Sequence, residues 1–548
     1  MKVCRVIVFL LSMMLAACQQ QEPAASDHSG EKGVSPNILL IVLDDLGYTD
    51  LGSFGGEIET PTMDSLAYAG LRLSNFHAGP SCAPTRAMLL TGTDHHLAGV
   101  GSQSGLETEK QAASPAYQNS LLPNVPTIAE LLREQGYHTV ASAKWHLGTE
   151  PGELPNARGF VRSYALMPGG AGHFDDTPLF RSYVADWRED DVRTTLPEDF
   201  YSTDTMTDKI LEYLAEGRAD QPFFAYLSYT APHWPLQAPQ ASIDKYNGVY
   251  DAGWEVLRDA RLKGAKDQGV VPATAQAVTY EPGVQAWAEQ NDQQRTLEAR
   301  RMQVYAAMID DVDKAVARVL AYLADRGQLD NTLVVVMSDN GVEAHDMTQY
   351  RDNPEWLAER FDNSLQSMGS RNSYVVLGAS WARAAAVPFR DSKSKVAEGG
   401  IRVPAIVRMP VTWPLAQQQV GTVDTTYMRV MDLAPTFLQM AGATPPQHML
   451  GRSLLVRWQG GPSPYRSDEY IAGETYGRQY VRQGDWKLLK QPQPFGTGVW
   501  QLYNLAQDLG EQEDLSAEFP ERTARLAEAW QDYADQVGVI LPDAPIRY

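Results

Sequence analysis

Ile38-Leu39-Leu40-Ile41-Val42-Leu43, running straight into Asp44-Asp45, is the stretch on which the fold turns. A continuous β-prone apolar run with no polar residue at alternate positions describes a strand buried on both faces, and such strands belong to parallel sheets covered by helices. The pattern of an apolar run ending in polar chemistry recurs along the chain. Thr127-Ile128-Ala129-Glu130 has the spacing of a capping box and opens a helix that stops near Gly136. Tyr137 to Ser142 then reads as a strand leading to Lys144-Trp145-His146, and Phe223 to Tyr229 as one leading to Ala231-Pro232-His233. Val304, Met308, Val312, Val316, Leu320 and Leu323 mark one face of a long amphipathic helix. Leu333 to Met337 follows as a strand that ends in Ser338-Asp339-Asn340-Gly341.

Helices alternating with doubly buried strands predict a doubly wound, mostly parallel α/β sheet. Ligands of such sheets lie beyond the carboxyl ends of the strands. Asp44, Asp45, Lys144, His146, His233, Asp339 and Asn340 all follow strand ends, so this rule gathers them on one rim. The two carboxylate-bearing pairs, Asp44-Asp45 and Asp339-Asn340, offer oxygen ligands that suit a hard cation such as Ca²⁺ or Mg²⁺ rather than zinc. From about Arg466 the texture changes: Gly484 to Lys490 and Trp500 to Leu505 read as hairpin strands, and residues 517–536 as a helix. The long intervals 251–300 and 343–395 are expected to build walls over the site.

The chain has 548 residues, 43% apolar and 21% charged, ordinary for a globular protein and long enough for one large domain and a smaller one. A formal net charge of -22 argues against nucleic acid as a partner, because nothing broad and basic is present in the sequence to meet phosphates. Residues 1–18 read as an export segment: Lys2 and Arg5 precede the apolar stretch Val6 to Ala17, which is too short to span a bilayer. Leu15-Ala16-Ala17-Cys18 matches a bacterial lipoprotein box, with lipid on Cys18 after cleavage; the alternative is an ordinary secretory signal cut nearby. Gln19 favours sorting to the outer membrane of a Gram-negative cell, facing the periplasm. Residues 19–35 have almost no apolar content and read as a flexible tether.

Cys82 is the lone cysteine beyond the export segment, so it makes no internal disulfide. It sits in Ser81-Cys82-Ala83-Pro84-Thr85-Arg86, followed by Leu89, Thr91 and Gly92. Pro84 belongs in the first turn of a helix running through Leu90, which sets Cys82 at a helix N-terminus, where exposed N–H groups favour anions. Arg86, one turn on, can reach back toward it.

The string C-A-P-T-R resembles the C-x-[PS]-x-R signature of the type I, formylglycine-dependent sulfatases of the alkaline-phosphatase-like superfamily. Lys144 to Gly148 resembles that family's K-W-H-L-G string, and Glu398 to Pro404 its E-G-G-x-R-V-P string. The resemblance runs from about Asn37 to the C-terminus and is closest to the bacterial aryl- and alkylsulfatases, through Thr91 to Gly99 and Phe361 to Gly378. It implies a catalytic α/β domain over 36–465 and a small antiparallel-sheet subdomain over 466–548. It implies that a maturation enzyme oxidises Cys82 to formylglycine, and that one Ca²⁺ sits on Asp44, Asp45, Asp339 and Asn340 with an oxygen from position 82. Arg86, Lys144, His146, His233 and Lys393 would complete the catalytic set. Lys393 follows from counting back from Glu398, and Lys395 is its rival because Asp391-Ser392 replaces the usual glycines. His95, His96 and His173 are taken as supporting or structural. The implied reaction is hydrolysis of a small aryl or alkyl sulfate ester. Two alternatives stand beside it: a formylglycine-dependent phosphonate or phosphate ester hydrolase, and a non-catalytic lipoprotein that binds sulfated glycans.

Overall fold

β1 (Asn37–Leu43) is buried along its whole length. Leu39, Ile41 and Leu43 enter one hydrophobic core, while Ile38, Leu40 and Val42 enter the other. The strand therefore separates two cores, and that is why its apolar run does not alternate. The computed structural model describes residues 35–278, 285–346, 353–411, 413 and 420–546. The expected export segment and all but the last residue of the tether lie outside the described residues. Residues Pro36–Tyr548 form one compact unit.

The remaining strands of the large sheet are β2 (Leu71–His77), β3 (His138–Lys144), β4 (Arg162–Leu166), β5 (Trp187–Glu189), β6 (Val192–Arg193), β7 (Phe223–Ser228), β8 (Thr332–Ser338), β9 (Arg402–Arg408), β10 (Thr422–Asp424) and β11 (Met428–Arg429). Their order is β10-β2-β9-β8-β1-β7-β3-β4-β5-β6, with β11 also beside β2. The five central strands, β8-β1-β7-β3-β4, are parallel. β9 runs antiparallel to both β2 and β8, and β4, β5 and β6 pair antiparallel at the other edge. The expected doubly wound, mostly parallel sheet is thus present, with antiparallel strands confined to its flanks.

The capping box at Thr127 forms as expected, and its helix spans Ile128–Glu134. The long amphipathic helix covers Asp292–Asp325 and fills one face of the sheet with Met302, Ile309, Val312 and Val316. A second sheet, β12 (Tyr470–Thr475), β13 (Arg478–Gln483), β14 (Trp486–Lys490) and β15 (Gln501–Asn504), is antiparallel throughout. The helix Pro520–Val537 covers it, with Leu526, Trp530 and Ala534 against Val481, Leu488 and Leu502. No helix among the described residues is long and apolar enough to cross a membrane.

Candidate active site

Four parallel strands end at one point. Asp44 and Asp45 follow β1, Asp339 and Asn340 follow β8, Lys144 closes β3 with His146 two residues on, and His233 follows β7. Asp45 and His146 leave their strands with φ of 68° and 57°, left-handed conformations that cost non-glycine residues energy. Those kinks turn the side chains inward from strand ends that would otherwise carry them past the rim. All seven expected rim residues meet there, six of them buried and His146 half-buried at the pocket.

Cys82 is the first residue of the helix Cys82–Thr91 and is almost wholly buried. Its Sγ lies 3.5 Å from Asp44 Oδ1 and 4.0 Å from Asp45 Oδ1. Burial, reinforced by Asp339, raises the thiol far above its usual range, so a plain thiol here is a poor nucleophile at neutral pH. Ser81 does not cap the helix; its hydroxyl instead accepts from Gln103 Nε2 at 2.8 Å and pairs with Tyr476 OH at 2.9 Å.

Three buried cations hold three buried carboxylates. Arg86 donates to Asp339 Oδ2 from Nη2 at 2.6 Å and from Nε at 3.1 Å, and to Ser228 Oγ at 2.5 Å. Arg86 thus reaches the rim carboxylate rather than lying in direct contact with the sulfur. Lys144 Nζ donates to Asp44 Oδ2 at 2.6 Å. Lys393 Nζ lies 2.8 and 2.9 Å from the two oxygens of Asp45 and 3.5 Å from Glu343 Oε2. Lys395 instead sits 3.3 Å from His345 Nε2 and over the Phe495 ring, so Lys393 is the lysine that joins the cluster.

The donor set fits a hard divalent cation. Asp44, Asp45, Asp339 and Cys82 each place a ligand atom within 4.8 Å of the others. Asn340 Oδ1 is buried without a hydrogen-bond partner, while its Nδ2 donates to Asp45 Oδ1 at 2.6 Å. A buried carbonyl oxygen left unsatisfied beside three carboxylates is a ligand in search of a cation. Burial pushes Asp44 up to about 7 against the pull of Lys144, with Asp339 and Asp45 adding to the rise. Positive charge placed among these groups would reverse that shift.

His146 and His233 both line the pocket over Cys82. Burial holds each well below the ordinary imidazole range, helped by Lys144 at His146 and Lys393 at His233. His233 Nδ1 lies 2.6 Å from the Trp234 carbonyl, which can only accept, so Nδ1 carries the proton and Nε2 faces Asp45 Oδ2 at 3.7 Å. His173 holds the His233 backbone, with Nε2 2.9 Å from its carbonyl, and is a supporting residue. His96 is locked 3.0 Å from both Asp94 and Glu474 and joins the helix-bearing side to β12.

Several participants are not among the residues expected from the sequence. Ser228 ends a strand and the rim rule could have found it; Glu343, Gln103 and Tyr476 come from loops and a hairpin turn and could not be found that way. The interval 251–300 was expected over the site, but none of its described residues lines the pocket. Trp254 and Trp287 from that interval pack edge-on with Trp381, which keeps it in the outer core. The interval 343–395 contributes Glu343 and Lys393, and Tyr374 and Val376 brace the pocket wall from behind. The wall itself comes from residues 103–106 and 169–183 and from Trp234.

Known proteins resemble this chain over most of its length. The family described as Sulfatase covers residues 36–443, and the C-terminal family of N-sulphoglucosamine sulphohydrolase covers residues 391–532. An uncharacterized sulfatase of Schizosaccharomyces pombe is 38% identical over 92% of this chain and 94% of its own length. An arylsulfatase of Klebsiella aerogenes is 33% identical over 80% of this chain and 94% of its own. The solved structure of Ps i-CgsB in complex with k-i-k-neocarrahexaose has a TM-score of 0.66 and 26% identity, covering 91% of this chain and 93% of that one.

Proposed function

The chain belongs to the sulfatase family and is a sulfuric ester hydrolase, and we propose that it cleaves aryl or alkyl sulfate monoesters with formylglycine at position 82 and one bound Ca²⁺. The observation that carries this reading is the burial of Cys82 at a helix N-terminus, 3.5 Å from Asp44, inside a ring of carboxylates and cations. Asp44, Asp45, Asp339 and Asn340 would hold the Ca²⁺, which supplies Lewis-acid stabilisation of charge on the attacking and sulfate oxygens. Formylglycine at 82 would add an oxygen to that set and replace a soft sulfur, leaving a ligand sphere made only of oxygen.

Charge supports a sulfate monoester. Asp44, Asp45, Asp339 and Glu343 face Arg86, Lys144 and Lys393, four negative groups against three positive. A divalent cation brings that set to one positive charge, which a singly charged sulfate ester neutralises and a phosphate monoester dianion does not. Lys144 and Lys393 sit on the carboxylates nearest Cys82, where their ammonium groups can turn to the sulfate oxygens, and Arg86 holds Asp339 in register. His146, whose buried Nδ1 has no hydrogen-bond partner and which lines the pocket beside Cys82, is the base for a proton on the side chain at 82. His233 presents Nε2 on the far side of the pocket. Its neutral ring accepts there, and the negative charge of a bound sulfate favours the protonated ring that donates to the departing oxygen.

The test is mass spectrometry of the peptide containing position 82, together with turnover of matched sulfate, phosphate and phosphonate esters by protein co-expressed with a formylglycine-generating maturation enzyme. An aldehyde at 82 and preference for sulfate are expected; full activity with an unmodified thiol would sink the reading. His233→Ala is expected to slow esters of poor leaving groups by about 10²–10⁴-fold, the worth of general acid catalysis. Esters of good leaving groups should lose little, and equal losses across a graded series would remove His233 from the acid role. We further propose export and lipid anchoring at Cys18 to the outer membrane, facing the periplasm, a reading supported by the lipobox Leu15-Ala16-Ala17-Cys18 and by Gln19; Cys18→Ala is then expected to move the protein from the membrane to the soluble fraction.

A further inference from the structure

Above its charged floor the pocket over Cys82 is uncharged and largely apolar. Leu106, Leu179, Phe180, Tyr183 and Trp234 form most of its wall, Gln103 and Ser104 add neutral polar groups, and among the described residues no Lys, Arg, Asp or Glu lines it. The wall is built rather than incidental. Leu179, Phe180 and Trp234 belong to a small cluster with Trp356, Leu357, Tyr374 and Val376 that is separate from the two large cores. Phe180 meets Trp234 edge-on at 5.7 Å, and Trp234 meets Tyr374 at 5.9 Å. Tyr374 OH donates to the Leu179 carbonyl at 2.5 Å, which ties the back of the wall to its front. Trp234 also stacks on the His233 ring, with centroids 5.1 Å apart and planes at 27°. The wall and the leaving-group histidine are therefore one rigid piece.

Two glycines keep room at its foot. A Cβ at Gly169 would lie 2.7 Å from the His146 ring, and one at Gly170 would lie 2.9 Å from Leu179 and 3.2 Å from the His233 ring. The space so preserved lies between the two histidines and the apolar side chains, where the group attached to a transferring sulfate has to sit. A flat, uncharged ring gains there by leaving water and by edge and face contacts with Phe180 and Trp234. A leaving group with its own carboxylate or second sulfate would bury that charge against hydrocarbon with no counter-ion, inside a chain whose net charge is already -22.

We propose that this wall is the leaving-group subsite, with Leu179, Phe180 and Trp234 setting specificity for an uncharged aryl group and against leaving groups that carry a second negative charge. The inference rests on the sulfate-ester reading of the same site. Its test compares kcat/KM of the matured, full-length enzyme for 2-naphthyl sulfate, a ring-carboxylated naphthyl sulfate and N-acetylglucosamine 6-sulfate. The neutral aryl ester is expected to exceed both others by about 100-fold or more, the discrimination a site gains when the wrong partner leaves a buried group unpaired. Phe180→Lys is expected to lower kcat/KM for the neutral ester by about 10–100-fold and to raise the ratio of carboxylated to neutral turnover. Phe180→Leu, which keeps an apolar contact, should retain the preference for the neutral ester. Equal or better use of the carboxylated or sugar sulfate by the wild type would overturn this inference while leaving sulfate-ester hydrolysis standing. Absence of turnover on every sulfate ester by aldehyde-bearing enzyme would instead overturn the reading beneath it. The wild-type comparison decides the matter even where the lysine variant fails to fold.

Discussion

Serine in place of Cys82 is expected to stop the enzyme as a covalent sulfate ester after at most one fast turnover. The serine hydroxyl would occupy the place of the sulfur, 3.5 Å from Asp44 Oδ1 and at the first position of the helix Cys82–Thr91. Helix N–H groups, Arg86, Lys144 and Lys393 still surround it, so attack on a bound sulfate remains possible. Release is the difficulty. A hydrated aldehyde carries two hydroxyls on one carbon, so loss of a proton from the second expels sulfate and restores the aldehyde. Serine has a single oxygen there, and its ester waits for external water in a pocket walled by Leu179, Phe180 and Trp234. Steady-state turnover is expected to fall on the order of 10⁴-fold or more, within the range seen when a covalent nucleophile is lost. Intact-mass measurement after exposure to substrate should show one added SO₃, mapped to position 82. Sustained multiple turnover by Cys82→Ser would mean that the second hydroxyl is not the device that frees sulfate.

The central sheet was legible because its strands are buried on both faces. β1, β7 and β8 send successive side chains into opposite cores, and each therefore appears as an unbroken apolar run. The long helix was legible from its period, and the C-terminal helix expected over 517–536 spans Pro520–Val537. The short edge strands β5, β6, β10 and β11, two or three residues each, were not, since so few residues establish no period. The site was legible to the extent that chemistry follows strand ends: the rim rule brought Asp44, Asp45, Lys144, His146, His233, Asp339 and Asn340 together before any distance was known.

Loops defeated the same reasoning. Lys393 and Lys395 are two residues apart on a segment where Asp391 and Ser394 take φ of 65° and 69°, the conformations that the usual glycines would supply. The path of such a segment decides which lysine turns inward, and no periodicity encodes it. The same holds for Tyr476, at the turn between β12 and β13, which brings the C-terminal sheet to Ser81 beside Cys82. The walls were misassigned for a related reason: insertion length marks the interval 251–300, whereas the pocket is closed by shorter segments around Gln103 and Phe180.

Asp339→Ala is expected to abolish turnover and metal binding while leaving a folded, less stable protein. Asp339 accepts three hydrogen bonds, two from Arg86 nitrogens at 2.6 and 3.1 Å and one from the Asp45 backbone N–H at 3.2 Å. Burial pushes its carboxyl up, but Arg86, with Lys144 and Lys393, outweighs burial and holds it below the ordinary range. Removing it strands the Arg86 charge in the interior, a change that costs about 3–5 kcal/mol when one member of a buried pair is lost. It also takes one carboxylate from the set that would hold the cation. The conservative Asp339→Asn separates these effects, since its carbonyl oxygen can still accept from Arg86 but brings no charge to the metal. Because the native carboxyl lies below its unfolded value, its contribution to stability is fully present above about pH 4 and is lost as pH falls through the native value. Asp339→Asn should therefore flatten the acid limb of the stability curve and, at neutral pH, lower calcium content more than it lowers the unfolding temperature. Elemental analysis after dialysis and thermal unfolding across pH measure both. Calcium at wild-type stoichiometry in Asp339→Ala would remove Asp339 from the metal site and leave it only the task of holding Arg86.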